Sequence, residues 1–119
     1  MANVLIVDDS RTSRRMLKEI IIEMGHSVIE ECPDGEVGFV KYKELNPDLV
    51  TLDITMPKID GLQALQLIRN YDPNAKAIMI TAAGQRDKMV QAVKYGASEF
   101  ITKPYEKDEV IKIIKKILG

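Results

Sequence analysis

Two adjacent carboxylates follow the first apolar run of the chain. Four aliphatic residues, Val4 to Val7, are followed directly by Asp8 and Asp9. A short aliphatic run between polar residues is typical of a buried strand, and the turn after it needs only one polar residue. Asp9 or Ser10 could cap a helix that follows. Capping explains one of these side chains and leaves the second carboxylate unexplained.

Three further apolar runs also lead into polar residues. Asp53 ends the run LVTLD, and Thr81 ends the run AIMIT, before the small residues Ala82 and Ala83. Lys103 follows the run EFIT. If these runs are parallel strands of one sheet, their carboxyl ends meet at the crevice where such sheets bind ligands. We therefore expect these polar residues to share one site.

The residue types in this expected site indicate phosphoryl chemistry. The carboxylates Asp8, Asp9 and Asp53 would repel one another unless a cation compensates them, and Mg²⁺ binds one or two carboxylates together with a phosphate oxygen. Lys103 and Thr81 would offer a positive charge and a hydroxyl donor to phosphoryl oxygens. Aspartate also forms acyl phosphates as a covalent nucleophile. Each residue taken alone could equally be a turn, cap, strand or surface residue.

Strand-like and helix-like segments alternate along the whole chain. The strand candidates are NVLIV, HSVIE, DLVTLD, KAIMIT and SEFIT, and their spacing of about 20–30 residues suits a strand followed by a crossover helix. Apolar residues at i, i+3, i+4 and i+7 predict a first and a last helix, with the sets Leu17, Ile20, Ile21, Met24 and Val110, Ile113, Ile114, Ile117. Less regular helices are expected near 35–45, 61–70 and 86–95.

This alternation predicts the α/β class, with a single five-stranded parallel sheet and helices on both faces. The three middle strands are the most uniformly apolar, as burial on both sides requires. The pattern shows no linker or repeat, so we expect one domain over residues 1–119 and no output domain.

Composition excludes several classes of function. Seventeen Lys and Arg against eighteen Asp and Glu give a formal net charge of −1, without the basic excess typical of nucleic-acid binding. The single cysteine, Cys32, allows no intrachain disulfide and favours a reducing compartment. No stretch is long enough to span a membrane, and the N-terminus lacks the features of a signal peptide. We expect a monomeric cytoplasmic domain that binds neither nucleic acid nor membrane.

Four motifs occur in order across nearly the full length, namely LIVDDS, LDITMPKIDG, MITA and ITKPY. With them the chain resembles the response-regulator receiver domains of two-component signalling. Within that family it is most similar to stand-alone chemotaxis regulators of the CheY type, chiefly through DITMP, AAGQ and the missing output domain. The resemblance implies the flavodoxin-like strand order 2-1-3-4-5.

The resemblance also implies a role for each site residue. Asp53 would accept a phosphoryl group from a phosphohistidine on a sensor histidine kinase. The ligands of Mg²⁺ would be Asp8, Asp9, Asp53 and the backbone carbonyl of Thr55. The residues that bind the phosphoryl group and switch on its arrival would be Thr81, Ala82 and Lys103. The chain would then catalyse only its own phosphorylation and dephosphorylation, and would not be an enzyme.

A conformational change and its partners follow from the same resemblance. Phe100 would turn inward when Thr81 moves, although it could simply be a core residue, and the Lys103–Pro104 peptide bond would be cis. The partners would be the kinase, a downstream target such as the flagellar switch, and a phosphatase. The surface of the fourth helix, fifth strand and fifth helix would report the change, with candidate contacts that could also be plain exposed residues: Lys94, Tyr95 and Tyr105.

Two positions depart from the best-known chemotaxis pattern. Thr55 stands two residues after the phosphoacceptor, where Asn is familiar, and Ala83 stands two residues after Thr81, where a longer polar side chain is common. In the family these positions tune how water reaches the acyl phosphate. We therefore expect slower self-dephosphorylation than in a variant with Glu in place of Ala83.

Other functions fit parts of the pattern. A phosphorelay intermediate or another single-domain response regulator would share all of these residues. A phosphatase of the haloacid-dehalogenase type also uses a strand-end Asp with Mg²⁺, but it needs a second Asp where Thr55 stands. A flavin carrier would not place Asp8 and Asp9 in its phosphate loop. A pseudo-receiver that only binds partners would not need the full acidic set with Lys103.

Overall fold

The computed structural model describes residues 1–119 as five strands alternating with five helices. The strands are β1 (Asn3–Val7), β2 (Ser27–Cys32), β3 (Leu49–Asp53), β4 (Ala77–Thr81) and β5 (Glu99–Thr102). The helices are α1 (Arg11–Glu23), α2 (Gly35–Leu45), α3 (Gly61–Tyr71), α4 (Arg86–Lys94) and α5 (Lys107–Leu118). The expected alternation is confirmed. None of the helices combines the length and apolar character needed to cross a bilayer.

All neighbouring strands pair in parallel in the order β2-β1-β3-β4-β5, which confirms the predicted fold class and strand order. The register aligns Val7 with Leu52 and aligns Thr81 with Thr102. The strands therefore end at nearly the same level. Residues that follow these ends are brought to one edge of the sheet, where ligands of open parallel sheets bind.

The limits of most elements agree with the sequence expectation to within one residue, and the edge strand β2 differs most. The predicted segment HSVIE ends at Glu30, whereas β2 continues to Cys32 because Glu31 and Cys32 pair with Ile6 and Val7 of β1. An edge strand is solvated along one side and tolerates acidic residues. Hydrophobicity alone therefore placed its end two residues too early.

Helices cover both faces of the sheet. One apolar cluster packs α2, α3 and α4 against the sheet, and a second packs α1 and α5 against the other face. All residues of β3 and β4 are buried, as are Val4 to Val7 of β1. Burial on both faces explains why these three strands are the most uniformly apolar.

Ser10 answers the capping question raised by the first carboxylate pair. Its side chain accepts a hydrogen bond from the Ser13 amide at 3.2 Å and caps α1. Asp8 instead accepts the Ser10 amide through Oδ1 at 2.8 Å, and Asp9 is exposed. Neither aspartate is needed as the helix cap, so both remain available for chemistry.

Gly61 allows α3 to begin directly beside the end of β3. Its amide donates to the Ile54 carbonyl at 2.8 Å. A Cβ atom at this position would overlap the backbone carbonyl oxygen of Asp53 and lie 2.8 Å from its carbonyl carbon. Backbone atoms cannot move aside as a flexible side chain can. The absence of a side chain at Gly61 therefore allows the start of α3 to approach the backbone of Asp53 closely.

We expect Gly61→Ala to lower the free energy of unfolding by about 3 kcal/mol, the upper range for overpacking a close contact. Urea unfolding followed by circular dichroism measures this loss. Gly25→Ala is the comparison, since Gly25 has a φ of +91° with no atom within 4 Å of an added Cβ. That variant carries only the backbone strain of about 1 kcal/mol. Equal losses in the two variants would contradict the contact with Asp53.

Candidate functional site

The ammonium group of Lys103 lies between two carboxylates at the carboxyl edge of the sheet. Its Nζ is 3.0 Å from Asp8 Oδ2 and 3.1 Å from Asp53 Oδ2. Asp8 and Asp53 are buried, with 2% and 8% of their surface exposed. The carboxyl ends of β1 and β3 and the residue after β5 thus meet in one ionic cluster.

Backbone hydrogen bonds extend the sheet past its formal ends and position this cluster. The Asp8 amide donates to the Cys32 carbonyl at 3.0 Å, which continues the pairing of β1 with β2. The Lys103 amide donates to the Thr81 carbonyl at 2.7 Å, which continues the pairing of β4 with β5. Because these main-chain atoms are fixed, only the side-chain rotamers remain to be ordered when the ionic contacts form.

Electrostatics at the cluster are dominated by burial and by an excess of negative charge. Burial, together with the negative charge of Asp8, raises the pKa of Asp53 to about 6 despite the opposing effect of Lys103. Burial acts to lower the pKa of Lys103, but its contacts with Asp8 and Asp53 raise that pKa above its ordinary value. One ammonium group therefore does not fully compensate the carboxylates.

Asp9 completes an acidic group that could hold a metal ion. One carboxylate oxygen each from Asp8, Asp9 and Asp53 lie within 4.8 Å of one another, with Asp9 exposed and the other two buried. Carboxylate oxygens are the ligands that hard divalent cations prefer. A cation at this position would neutralise the negative charge of Asp8, which together with the larger effect of burial raises the pKa of Asp53. The residues present fit a hard divalent metal ion.

A network of polar contacts borders the cluster on the side of β4. The Thr55 amide donates to Asp53 Oδ1 at 3.3 Å. The Thr55 hydroxyl accepts a hydrogen bond from Gln85 Nε2 at 2.6 Å, and the Ala82 amide donates to Gln85 Oε1 at 2.7 Å. Thr81 is buried at the end of β4. The network joins the loops that follow β3 and β4.

The structure brings Asp8, Asp9, Asp53, Thr55 and Lys103 together directly around the cluster. The Lys103–Pro104 peptide bond is cis, the isomer that the resemblance implied. Of the remaining expected residues, Thr81 ends β4 and is followed by Ala82 and Ala83, and Phe100 lies in β5. Lys94 ends α4, Tyr95 follows it, and Tyr105 lies between β5 and α5.

The candidate switch and partner residues have different environments. Phe100 lies in β5, is partly buried and packs against the apolar cluster of α2, α3 and α4. Lys94 is exposed at the end of α4, and Tyr95 follows it with 36% of its surface exposed. Tyr105 packs against the opposite cluster of α1 and α5. Its hydroxyl is buried without a partner, and burial with the charges of Asp8 and Asp53 raises its pKa.

A family model identifies the class of protein to which the chain belongs. The model for the response regulator receiver domain matches residues 4–115. The chain belongs to the response-regulator receiver family. It is similar to the chemotaxis protein CheY of Thermotoga maritima, with 46% identity over 114 residues that cover 96% of this chain and 95% of the relative. The CheY of Bacillus subtilis is 44% identical over 116 residues, which cover 98% and 97% of the two chains.

The receiver also resembles a chain in the crystal structure of the CheX–CheY–BeF3–Mg²⁺ complex from Borrelia burgdorferi. The TM-score is 0.93 with 40% sequence identity, and the match covers 98% of this chain and 89% of that chain. Members of this family are phosphorylatable switches of two-component signalling, and this chain is a switch of that class. The family assignment predicted from the four motifs is confirmed.

Sequence reasoning missed two residues that contact this receiver site. Arg14 Nη1 donates to the Asp8 carbonyl at 2.6 Å, and its Nε lies 3.5 Å from Glu31 Oε1. Helical periodicity could have indicated this, because Arg14 precedes Leu17 by three residues and shares its sheet-facing side. Gln85 had no such signal, since its two contacts depend on how separate loops approach.

Replacing Lys103 should destabilise the receiver when no metal is added. We expect Lys103→Met to lower the free energy of unfolding by about 2 kcal/mol, because two buried carboxylates lose their counter-charge. The double variant Lys103→Met/Asp8→Asn should recover part of that loss. Urea unfolding in buffer containing a chelator measures both effects.

Lys112→Met provides the matched control for this experiment. Lys112 is exposed on α5, so its replacement should change the free energy of unfolding by less than about 0.5 kcal/mol. A Lys103→Met variant as stable as Lys112→Met would show that the ammonium contributes nothing to the metal-free fold.

Proposed function

We propose that Asp53 is the phosphoacceptor of this receiver and takes its phosphoryl group from a phosphohistidine on a sensor histidine kinase. The observation that carries the proposal is the position of the Lys103 ammonium between Asp8 and Asp53, with the Asp9 carboxylate beside them. A carboxylate that is buried, aligned by its loop and flanked by a cation is suited to nucleophilic attack on phosphorus.

In the proposed step a carboxylate oxygen of Asp53 attacks the phosphorus and forms the acyl phosphate. The bond from phosphorus to the imidazole nitrogen breaks, and that nitrogen keeps the electron pair. Lys103 stabilises the negative charge on the phosphoryl oxygens. Mg²⁺, held by Asp8, Asp9, Asp53 and the Thr55 carbonyl, would supply further neutralisation of these oxygens when bound.

Phosphorylation would act on the rest of the chain through β4 and β5. The Thr81 hydroxyl and the Ala82 amide lie at the end of β4, where they would bind phosphoryl oxygens. Movement of Thr81 would leave space into which Phe100, already partly buried, turns further. Such a change shifts a two-state equilibrium only because these contacts exist in one state and not in the other.

The surface formed by α4, β5 and α5 is the proposed partner surface. On α4, Val90 and Val93 are 54% and 61% exposed, and exposed apolar side chains grouped on one helix favour protein contact. Lys94 and Tyr95 follow them directly. Tyr105 borders the surface at the start of α5.

Chemotaxis is the proposed pathway, with a flagellar switch protein as target and a phosphatase as a further partner. Support comes from the relatives called chemotaxis protein CheY over nearly the full length of the chain and from the CheX–CheY complex among the structural relatives. We also propose a monomer in the cytoplasm, where the free, buried Cys32 would remain reduced.

Acetyl phosphate tests the phosphoacceptor without a kinase. We expect stoichiometric labelling of the parent in the presence of Mg²⁺, none with a chelator, and none in Asp53→Asn, because the amide is not a nucleophile. Separation of phosphorylated protein on a phosphate-binding gel measures the label.

Asp60→Asn is the control for the labelling experiment. Asp60 lies in the same loop and caps α3, a role that Asn also fills, so this variant should be labelled like the parent. An unlabelled parent, or equal labelling of the parent and Asp53→Asn, would refute the proposed function.

The small side chain at Ala83 should make the phosphorylated state long-lived. Ala83 is exposed beside the end of β4 and has no polar atom to orient water. We expect Ala83→Glu to lose phosphate about tenfold faster, a barrier change of ~1.4 kcal/mol, in a chase after the phosphodonor is removed. Gln91→Glu adds the same carboxylate at an exposed position of α4 and should match the parent. Equal or faster loss in the parent than in Ala83→Glu contradicts the prediction.

A further inference from the structure

The side chain of Gln85 links two groups at the edge of the phosphoryl site. Its Oε1 accepts the Ala82 amide at 2.7 Å, and its Nε2 donates to the Thr55 hydroxyl at 2.6 Å. Thr55 follows Asp53 by two residues, and its own amide contacts Asp53 Oδ1. Both the oxygen and the nitrogen of the Gln85 side-chain amide therefore form hydrogen bonds within the site.

Gln85 precedes the first residue of α4 and is at the N-cap position of that helix, yet its side chain makes no capping hydrogen bond. Of the other four N-cap residues, Ser10, Asp34 and Asp60 each accept a backbone amide of their own helix, whereas Glu106 of α5 does not. A glutamine placed to serve α4 would have to point back along the helix. Its side chain points instead toward the loops after β3 and β4, where it satisfies groups beside the phosphoacceptor.

The Ala82 amide cannot donate a full hydrogen bond to Gln85 and to a phosphoryl oxygen at the same time. A backbone N–H has one hydrogen to donate. In the proposed function this amide binds the phosphoryl group, whereas in the present structure it is bound to Gln85 Oε1. Formation of the phosphorylated state therefore requires that the Gln85 side chain be displaced.

We propose that Gln85 is a positioning residue of the unphosphorylated protein. Its side chain occupies the Ala82 amide that the phosphoryl group needs, and so keeps the site closed. This inference rests on the proposed function of Asp53. An arriving phosphoryl oxygen replaces Gln85 Oε1 at the Ala82 amide, and the Thr55 hydroxyl is released with it. The phosphorylated state must compete with this bridge for the same donor.

Displacement of Gln85 also connects the site to α4. The bridge to Thr55 ties the start of α4 to the loop after β3, and no side-chain cap holds that first turn otherwise. Loss of the bridge frees the N-terminal end of the helix that carries Val90 and Val93. Occupancy of the phosphoryl site thereby changes the constraint on the proposed partner surface.

Gln85→Ala and Gln85→Met test the inference with acetyl phosphate and Mg²⁺. Both variants lack the hydrogen bonds, and the methionine keeps the length of the side chain. We expect initial labelling rates about fivefold above the parent in both, the factor that corresponds to a net hydrogen bond of ~1 kcal/mol. Gln91→Ala removes an exposed glutamine from the same helix and should label at the parent rate.

Beryllofluoride binding provides a readout that a structural role would not change. Titration with BeF3⁻ and Mg²⁺, followed by NMR, should give a midpoint about fivefold lower in Gln85→Ala, with no matching change in the unfolding midpoint in urea. In the parent, the resonances of the Ala82 amide and the Gln85 side-chain amide should both shift on binding. In a Thr55→Val background, the effect of Gln85→Ala should be smaller, because one of the two contacts is already lost.

Three outcomes of the labelling experiment would refute the inference. Unchanged or slower labelling in both Gln85 variants, while the parent is labelled and Asp53→Asn is not, refutes the inference and leaves the proposed function intact. Acceleration in Gln85→Ala alone refutes it too, because bulk rather than hydrogen bonding would then block the site. A parent that is not labelled refutes the proposed function itself, and the inference with it.

Discussion

The ammonium group of Lys103, held between the carboxylates of Asp8 and Asp53, is the contact on which the site depends. The three residues of this contact come from the ends of β1, β3 and β5, so the contact forms only when these strands end at the same level. Two buried carboxylates without this counter-charge would be costly in the folded state. In the proposed function the same ammonium would also stabilise the phosphoryl oxygens, so one side chain would serve both stability and chemistry.

The carboxylates at this contact carry more negative charge than the Lys103 ammonium neutralises. Three carboxylates lie beside one ammonium group, and burial together with the negative charge of Asp8 raises the pKa of Asp53 to about 6. A divalent cation bound here would reduce this imbalance and favour the ionised form of Asp53. Thr55 occupies the position where a phosphatase would need a second acid, and Asp60 is engaged in capping α3. In the proposed function the site accepts one phosphoryl group on Asp53.

Much of the fold and of the candidate site could be predicted from the order of residues along the chain. The apolar runs of β1, β3 and β4 are buried on both faces, so their hydrophobicity is continuous and easy to detect. The end of the edge strand β2 was predicted two residues too early because its acidic residues are solvated on one side. Arg14 and Gln85 were missed for a different reason. Their contacts join segments that are separate in sequence, and no local pattern requires them.

The sequence by itself determined the parallel α/β fold and the family. It also indicated which polar residues follow the strand ends, because alternation, periodicity and short motifs are local properties. Only the tertiary structure decided that Lys103 contacts both Asp8 and Asp53, that the Tyr105 hydroxyl is buried, and that Gln85 occupies the Ala82 amide. These facts depend on strand register and on distances between loops. Such distances are set by the packing of the whole sheet against its helices.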